Sequence, residues 1–219
     1  MELSAIYEAL ALLAKKFGAK RLVLFGSRAR GDARETSDLD LAVWGMPEKN
    51  RALFWWEAEE LPTLLKFDVV HITPGTEAEL LESIEQEGVV LYMNKVENYL
   101  TAVVQLEKGV KIFSNEQDEM YRDGLIQRFE NAAEMAWRSM LEYLEDQGVA
   151  ICQATPKGVV KEAYAANLIS NQSAWLGIID DRNMTTHVYS RQKAVEIAQK
   201  ICTDYLPVFQ ALARRYEEA

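Results

Sequence analysis

The alternation of apolar and polar positions changes character once along this chain. Before about residue 94, short apolar runs at 21–25, 38–43, 66–72 and 89–92 predict strands that alternate with amphipathic helical stretches. After that point strand patterns disappear, and helical periodicity predicts helices near 96–113, 115–147, 156–168, 171–181 and 191–216. The sequence therefore predicts an α/β (α+β) domain with a small mixed sheet at 1–93, followed by an all-α antiparallel helical bundle at 94–219.

Local signals place several helix ends. The N-terminal stretch carries five apolar residues on one helical face: Leu3, Ile6, Leu10, Leu13 and Phe17. An acid at position 2 and the lack of a basic leader or a small-residue cleavage site argue against a signal peptide. A helix is predicted over 50–65, with Pro62 marking its end. Ser114 and Asn115 predict a capping break between the first two helices of the second domain.

Composition narrows the class of protein. The 219 residues are 49% hydrophobic and 26% charged, which is an ordinary soluble globular composition. No apolar run approaches the roughly 18 residues of a membrane span. Two distant cysteines, Cys152 and Cys202, predict reduced core residues of a cytoplasmic protein. The formal net charge of −10 disfavours a general nucleic-acid binder, although it allows a local basic pocket for a nucleotide.

The segment 26–43 carries the clearest chemistry. A Gly26–Ser27 turn follows the first strand, and Asp38 and Asp40 project from the same face of the next strand. Two adjacent carboxylates repel each other unless a cation lies between them, and for phosphate chemistry that cation is Mg²⁺. Ser27 offers its hydroxyl and backbone N–H to phosphate oxygens. The alternative is a glycine turn and a polar hairpin with solvated aspartates. Three arginines make this loop positive: Arg28, Arg30 and Arg34.

The pattern G-S-x-A-x-G followed by S-D-x-D-L resembles the minimal nucleotidyltransferases of the DNA polymerase β superfamily. The resemblance covers the whole of the first domain. It implies a third carboxylate on a neighbouring strand, and Asp68 inside an apolar run occupies that position; its alternative is a solvent-facing strand-end acid. By resemblance, Asp38, Asp40 and Asp68 hold two Mg²⁺ ions, Asp68 is a candidate general base, and the triphosphate of ATP binds at three residues of the loop: Gly26, Ser27 and Arg30.

A second constellation lies at 182–189. Arg182 can clamp a phosphodiester, and His187 can move a proton near neutral pH. On a straight helix five residues place the two side chains about 140° apart. They converge only if the helix bends or ends between them, or if a second subunit supplies the partner. The alternative is an ordinary helix C-terminus, with His187 capping the last carbonyls.

Residues 94–219 resemble the HEPN superfamily, in particular its nucleotidyltransferase substrate-binding subgroup. The segments that carry the resemblance are 113–117, 136–140, 162–163 and 181–189. Some HEPN proteins are ribonucleases with an R-x4-6-H motif, which Arg182 and His187 fit. In toxin–antitoxin pairs the motif extends to R-x4-H-x-Y, and a separate nucleotidyltransferase adenylylates the tyrosine, which here is Tyr189. The resemblance also implies a homodimer through the helical domain. Here both halves occur in one chain, unlike the usual two-protein arrangement.

The leading hypothesis is a Mg²⁺-dependent nucleotidyltransferase that moves NMP, with AMP from ATP expected, to a hydroxyl acceptor. The acceptor is Tyr189 of the same chain, a partner protein, or a small molecule as in the antibiotic-modifying relatives. The alternative enzyme is a HEPN ribonuclease that acts on RNA through Arg182 and His187 and is regulated in cis by the first domain. A non-catalytic binding module is disfavoured by three mutually repelling aspartates. The base preference, the acceptor, the activity of the Arg-His pair, the oligomeric state and a toxin–antitoxin role stay open.

Overall fold

The computed structural model of the protein describes residues 2–115, 118–185 and 191–218. The chain divides into two compact units, Met1–Glu97 and Asn98–Ala219. The predicted fold class is confirmed, because a small mixed sheet with helices comes first and a helical region follows. Within the described ranges, no helix is both long and apolar enough to cross a membrane.

A four-stranded sheet organises the first unit. Its strands are β1 (Arg21–Phe25), β2 (Leu39–Trp44), β3 (Phe67–Ile72) and β4 (Val89–Met93), and its helices are α1 (Leu3–Lys16), α2 (Gly26–Arg30), α3 (Glu48–Glu59) and α4 (Ala78–Glu87). The strand order is β3-β2-β1-β4. β1 is antiparallel to both neighbours, whereas β2 and β3 are parallel. Asp40 on β2 therefore pairs with Phe25 on β1 and with Asp68 on β3.

The two faces of the sheet bury different helices. Alternate residues of β1 and β2, among them Leu24 and Leu41, pack with α1 and α3 in one apolar cluster. On the opposite face, Val23 and Ala42 pack with Ile84 of α4 in a smaller cluster. Asp40 has the same strand parity as Ala42, so it belongs to the face with the smaller cluster. One sheet face is thus closed by a full core, and the other leaves room for polar residues at the end of β1.

Two boundaries in the first unit differ from the sequence prediction. α3 runs from Glu48 to Glu59 and does not reach residue 65. Pro62 disfavours helical geometry at the residue before it, and tight turns follow Ala58 instead. β2 begins at Leu39, so Asp38 immediately precedes the strand on which Asp40 lies.

In its described residues the second unit consists of helices, the first of which begins just before the unit boundary. They are α5 (Lys95–Asn115), α6 (Glu119–Asp146), α7 (Pro156–Ala165), α8 (Gln172–Thr185), α9 (Arg191–Lys200), a π-helical turn (Ile201–Tyr205) and α10 (Leu206–Glu217). Aromatic residues fill the core, where Tyr99, Phe129 and Trp175 all contact Phe209. The Tyr99 hydroxyl also donates a 2.7 Å hydrogen bond to the Phe209 carbonyl oxygen.

The π-helical turn separates α9 from α10 within the stretch predicted as one helix over 191–216. The N–H of Leu206 donates to the carbonyl of Ile201, five residues earlier. Pro207 follows in the first turn of α10 and has no N–H to donate. A proline in a continuous helix leaves a carbonyl of the preceding turn unpaired, and one wide turn relieves that conflict.

Other expectations for the second unit need correction. α5 continues through Asn115. The Ser114 hydroxyl donates a hydrogen bond to the Val110 carbonyl oxygen of the same helix and does not cap the next one. Asp118 caps α6 instead. α8 continues to Thr185 and does not end at 181.

The prediction of two core cysteines is wrong. Cys152 is exposed and Cys202 is half-buried. Cys152 lies in the connection between α6 and α7, and Cys202 lies in the π-helical turn, whose buried residues are Ile201 and Tyr205.

Candidate active site

The Gly26 turn joins β1 to the short helix α2. Gly26 has a φ of +69°, a backbone conformation that residues with a Cβ rarely adopt. A Cβ at this position would also collide with the Oδ2 atom of Asp40. Both observations require glycine here, and the second shows that the turn backbone lies directly against a carboxylate of β2.

Three carboxylates gather beside this turn. Asp40 and Asp68 are register partners on parallel strands, and Asp38 lies two residues before Asp40. Burial raises the pKa of the Asp40 carboxyl, and the negative charges of Asp68 and Asp38 raise it further. Within the described part of the chain, no hydrogen bond or ion pair to these three side chains compensates the repulsion. The structure therefore brings together the three acids that the sequence singles out.

Arg28 closes the loop between α2 and β2. Its guanidinium donates to the Ser37 carbonyl oxygen from Nε at 2.9 Å and from Nη2 at 2.6 Å. Nη2 also donates to the Glu35 carbonyl oxygen at 3.0 Å. Backbone oxygens thus occupy Arg28, which fixes the loop that leads to Asp38.

Arg30 is the predicted triphosphate ligand, and it is exposed and engaged with two acids. Its Nη1 lies 3.0 Å from Glu87 of α4, and its Nε lies 3.3 Å from Asp32. The hydrogen bond to Glu87 is the main reason why the pKa of Arg30 is raised. The positive charge of Arg30 also lowers the pKa of Asp40, so it acts on the carboxylates through space.

Ser27 begins α2 together with Gly26. The side chain of Ser27 is half-buried, and its carbonyl accepts the N–H groups of Gly31 and Asp32. Gly31 ends α2 with a φ of +81°. The turn is therefore fixed by backbone bonds, and among the described residues the Ser27 hydroxyl has no partner.

The carboxylates fit a divalent cation that a substrate helps to hold. In the described residues, no three acidic, histidine or cysteine side chains are arranged as a ready metal cage. Mg²⁺ is usually held by one or two carboxylates together with waters and substrate phosphates, so a cage is not required. Asp40 and Asp68 supply hard oxygen donors in register. The pKa of Asp40 is raised first by burial and then by the negative charges of Asp68 and Asp38, which a cation would neutralise.

Arg182 of the second constellation lies near the end of α8. Its Nη2 lies 3.3 Å from Glu134 Oε2, and its Nη1 lies 3.3 Å from Asn183 Oδ1. Glu134 on α6 also accepts hydrogen bonds from Trp137 at 3.0 Å and from Arg138 at 2.7 Å. Burial pushes the pKa of Glu134 up, but these bonds and the arginine charges outweigh it and lower the pKa overall. His187 and Tyr189 lie outside the described residues.

The sequence did not indicate the buried acid next to Arg182. Asp181 is only 8% exposed and accepts a 2.5 Å hydrogen bond from the Tyr205 hydroxyl and a 2.9 Å bond from Lys200. Burial and the bond to Asp181 raise the pKa of Tyr205. The π-helical turn ends at Tyr205, and its geometry is not visible in hydrophobic periodicity, which is why the contact escaped prediction.

Comparison with known proteins agrees with both resemblances. Residues 94–218 match the family described as nucleotidyltransferase substrate binding protein like, and residues 8–97 match the polymerase beta nucleotidyltransferase family. The solved structure of HI0074 from Haemophilus influenzae is described as the fold of a substrate binding domain of a nucleotidyltransferase. It superposes with a TM-score of 0.50 and 25% identity over 56% of this chain and 98% of that chain.

Two curated relatives match shorter segments. The probable ribonuclease HepT of Haemophilus influenzae is 30% identical over 81 residues, which are 36% of this chain and 56% of that protein. The protein adenylyltransferase MntA of Thermococcus cleftensis is 38% identical over 55 residues, which are 25% of this chain and 42% of that protein. The chain thus spans about half the length of these relatives. Because one family model covers more than half of it, the chain belongs to the nucleotidyltransferase substrate binding protein-like family, and it carries a polymerase beta nucleotidyltransferase domain before that helical region.

Proposed function

We propose that the protein is a Mg²⁺-dependent nucleotidyltransferase that transfers AMP from ATP to a hydroxyl acceptor. The observation that carries this proposal is the group formed by Asp38, Asp40 and Asp68 against the Gly26 turn. The match to the polymerase beta nucleotidyltransferase family supports it. So does the similarity to a relative named as a protein adenylyltransferase.

Each residue of the site has a proposed role. Asp38, Asp40 and Asp68 hold two Mg²⁺ ions, and the backbone N–H groups and hydroxyl of the Gly26–Ser27 turn bind phosphate oxygens. Bound Mg²⁺ supplies neutralisation of charge on the phosphates and on the attacking and leaving oxygens. Arg30 adds positive charge once a triphosphate competes with Glu87 for its guanidinium.

The transfer balances as a displacement at the α-phosphorus. The acceptor oxygen forms a bond to the α-phosphorus, and the bond from that phosphorus to the bridging oxygen of pyrophosphate breaks. Pyrophosphate leaves with the electron pair, and the acceptor's proton passes to Asp68, which is exposed and therefore accessible. The products are the AMP ester of the acceptor and pyrophosphate.

Tyr189 is the acceptor that we propose first. It follows the Arg182–His187 pair at the spacing of the tyrosine that is adenylylated in the related two-protein systems. A free small molecule with a hydroxyl group is the second acceptor class. A separate protein is the third.

Intact-mass spectrometry of the full chain, with and without ATP and Mg²⁺, tests the proposal. We expect a gain of the mass of one AMP unit that disappears in Asp40→Asn. Glu35→Gln is the matched control, since it removes an exposed acid of the same loop that lies outside the carboxylate group. Tyr189→Phe is expected to abolish the adduct, whereas Tyr164→Phe, which alters an exposed tyrosine of the same unit, is expected to keep it.

The outcomes separate the acceptors. An adduct that persists in Tyr189→Phe moves the acceptor to another residue. No adduct, together with pyrophosphate release only when hydroxyl compounds are added, moves it to a small molecule. No adduct on this chain, together with AMP transfer to an added protein, moves it to a separate protein. No transfer and no pyrophosphate release with either kind of acceptor present refutes the nucleotidyltransferase activity.

A second candidate is ribonuclease activity through Arg182 and His187. The similarity to a probable ribonuclease over 81 residues favours it. The ion pair of Arg182 with Glu134 argues against a free phosphate clamp in this state. RNA cleavage that persists in EDTA and in Asp40→Asn, and that is lost in Arg182→Gln, would support it; cleavage that survives Arg182→Gln would exclude it.

A further inference from the structure

A cavity of about 570 Å³ opens in the helical unit. The connection from α7 to α8 at 167–171 forms one wall, Trp175 of α8 forms another, and residues 207–215 of α10 form the third. Small-molecule sites in proteins commonly have volumes of about 300–1,000 Å³. The cavity is therefore large enough for a small organic ligand.

The loop wall of the cavity is held by backbone bonds. Asn167 adopts a φ of +56°, which asparagine tolerates better than most residues, and it reverses the chain after α7. The N–H groups of Leu168 and Ile169 both donate to the Ala163 carbonyl oxygen, at 2.9 and 3.4 Å. Both of these side chains are buried. This wall is thus formed before any ligand binds.

The lining is apolar except at a few points. Among the lining residues the only ionisable side chain is Arg215, in the last turn of α10. Arg215 is exposed, and in the described ranges no acid pairs with it. Its guanidinium is a positive charge at the edge of an apolar cavity, where an anionic group of a ligand can pair with it.

Trp175 gives an independent observation. It is only 2% exposed, and its ring packs edge-on against Phe209 with centroids 5.3 Å apart. Within the described residues, its indole N–H has no hydrogen-bond acceptor. Among the described residues, this N–H is not one of the fully buried donors that lack a partner, so it stays accessible, and Trp175 lines the cavity. A hydrogen-bond acceptor on a molecule in the cavity would satisfy this donor.

We propose that this cavity binds a small organic anion with a flat apolar body. The apolar part packs on Leu168, Val208 and Leu212, an acceptor atom takes the Trp175 N–H, and the anionic group pairs with Arg215. Asn171 is a further donor, because its Oδ1 is occupied by the Ala174 N–H and the Ser173 hydroxyl while its amide NH₂ remains. This inference is independent of the proposed nucleotidyltransferase reaction, because it requires no nucleotide and no catalysis.

Fluorescence titration of the full chain with 1-anilinonaphthalene-8-sulfonate tests the cavity. This probe has flat apolar rings and one negative charge. We expect saturable binding that weakens about tenfold in Arg215→Gln, the order expected for one lost charge-assisted bond. Arg214→Gln is the matched control, since the neighbouring arginine does not line the cavity, and it is expected to leave binding unchanged. Ala211→Phe fills the cavity and keeps Arg215, so it should abolish saturable binding.

Two further measurements make the test specific. The uncharged analogue N-phenyl-1-naphthylamine is expected to bind the parent chain and Arg215→Gln equally. In proton–nitrogen NMR spectra, the indole N–H signal of Trp175, assigned with Trp175→Phe, should shift on adding the sulfonate, whereas that of exposed Trp56 should not. Equal effects of Arg214→Gln and Arg215→Gln, unchanged binding in Ala211→Phe, or a shift at Trp56 alone would overturn the proposal.

Discussion

Gly26 and Gly31 lie at the two ends of α2. Substituting each of them separates the effect of backbone strain from the effect of displacing the Asp40 carboxylate. Gly26 and Gly31 both have a positive φ, of +69° and +81° respectively. A Cβ at Gly31 would meet no atom within 4 Å, whereas a Cβ at Gly26 would meet the Asp40 carboxylate. The perturbation is therefore alanine at each position, with Gly31→Ala as the matched control for the strain of positive φ.

The expected magnitudes follow from these two environments. Alanine in the left-handed region costs about 1–2 kcal/mol, and the lower entropy of the unfolded alanine chain offsets part of that. We therefore expect Gly31→Ala to lower the free energy of unfolding by about 1 kcal/mol. Gly26→Ala adds the displacement of Asp40 from its rotamer, which costs about 1 kcal/mol more. The total for Gly26→Ala is then about 2 kcal/mol.

The effect on catalysis should differ far more than the effect on stability. Displacing a metal-binding carboxylate by about 1 Å can cost on the order of a hundredfold in rate. We expect Gly26→Ala to lose AMP transfer by at least that factor, and Gly31→Ala to stay within a few-fold of the parent chain. Urea unfolding followed by circular dichroism gives the stability, and pyrophosphate release gives the rate.

A double variant sharpens the test. If the alanine methyl at position 26 acts through Asp40, then Gly26→Ala should cost about the same as Gly31→Ala once Asp40 is also changed to alanine. Equal stability losses and equal rates for the two single glycine variants would refute the reasoning. So would an undiminished cost of Gly26→Ala in the Asp40→Ala background.

Three other predictions follow from single contacts. Asp40→Asn should raise the melting temperature without divalent cations, because it removes like-charge repulsion, and it should reduce the stabilisation by Mg²⁺ seen in the parent chain. Tyr205→Phe should lower the free energy of unfolding by about 1.5–3 kcal/mol in urea titrations, because the buried Asp181 carboxylate loses a hydrogen bond. Glu134→Gln should lower the melting temperature at neutral pH. Since the folded-state pKa of Glu134 is lowered, its contribution is present above the ordinary glutamate pKa and is lost as the pH falls through the folded value, so the two melting temperatures should converge in acid.

The first unit could be predicted closely from its sequence. Strand alternation places Asp40 on one face, and the G-S-x-A-x-G pattern identifies the turn that contacts it. The pairing of Asp40 with Asp68 could not be read from periodicity, because it depends on the parallel register of two strands that are distant in the chain. Tertiary pairing therefore decides which acid faces which, and here the family resemblance supplied the missing constraint.

The helical unit was harder to predict in detail. Periodicity found the helices but not the π-helical turn, because a single wide turn hardly alters the spacing of apolar residues around Pro207. The adjacent tryptophans Trp55 and Trp56 lie in a helical stretch, yet they are 49% and 57% exposed. Sequence spacing gives a helix face, but it does not say whether another element covers that face.

The charged side chains around the group formed by Asp38, Asp40 and Asp68 are arranged in a way that favours a bound cation over an internal ion pair. Arg28 is occupied by backbone carbonyls, and Arg30 is paired with Glu87 and Asp32 outside the carboxylate group. Arg28 and Arg30 both lie in α2, the helix whose Gly26 contacts Asp40, yet neither guanidinium pairs with the Asp40 carboxylate. Instead the positive side chains are held elsewhere, and Asp40 retains a raised pKa from burial and two negative neighbours. This repulsion is only partly offset by Arg30, and under the proposed function we expect a divalent cation and a triphosphate to stabilise the folded protein by relieving it. Because Arg30 pairs with the exposed acid Glu87, we expect its guanidinium to leave Glu87 for a phosphate when a nucleotide binds.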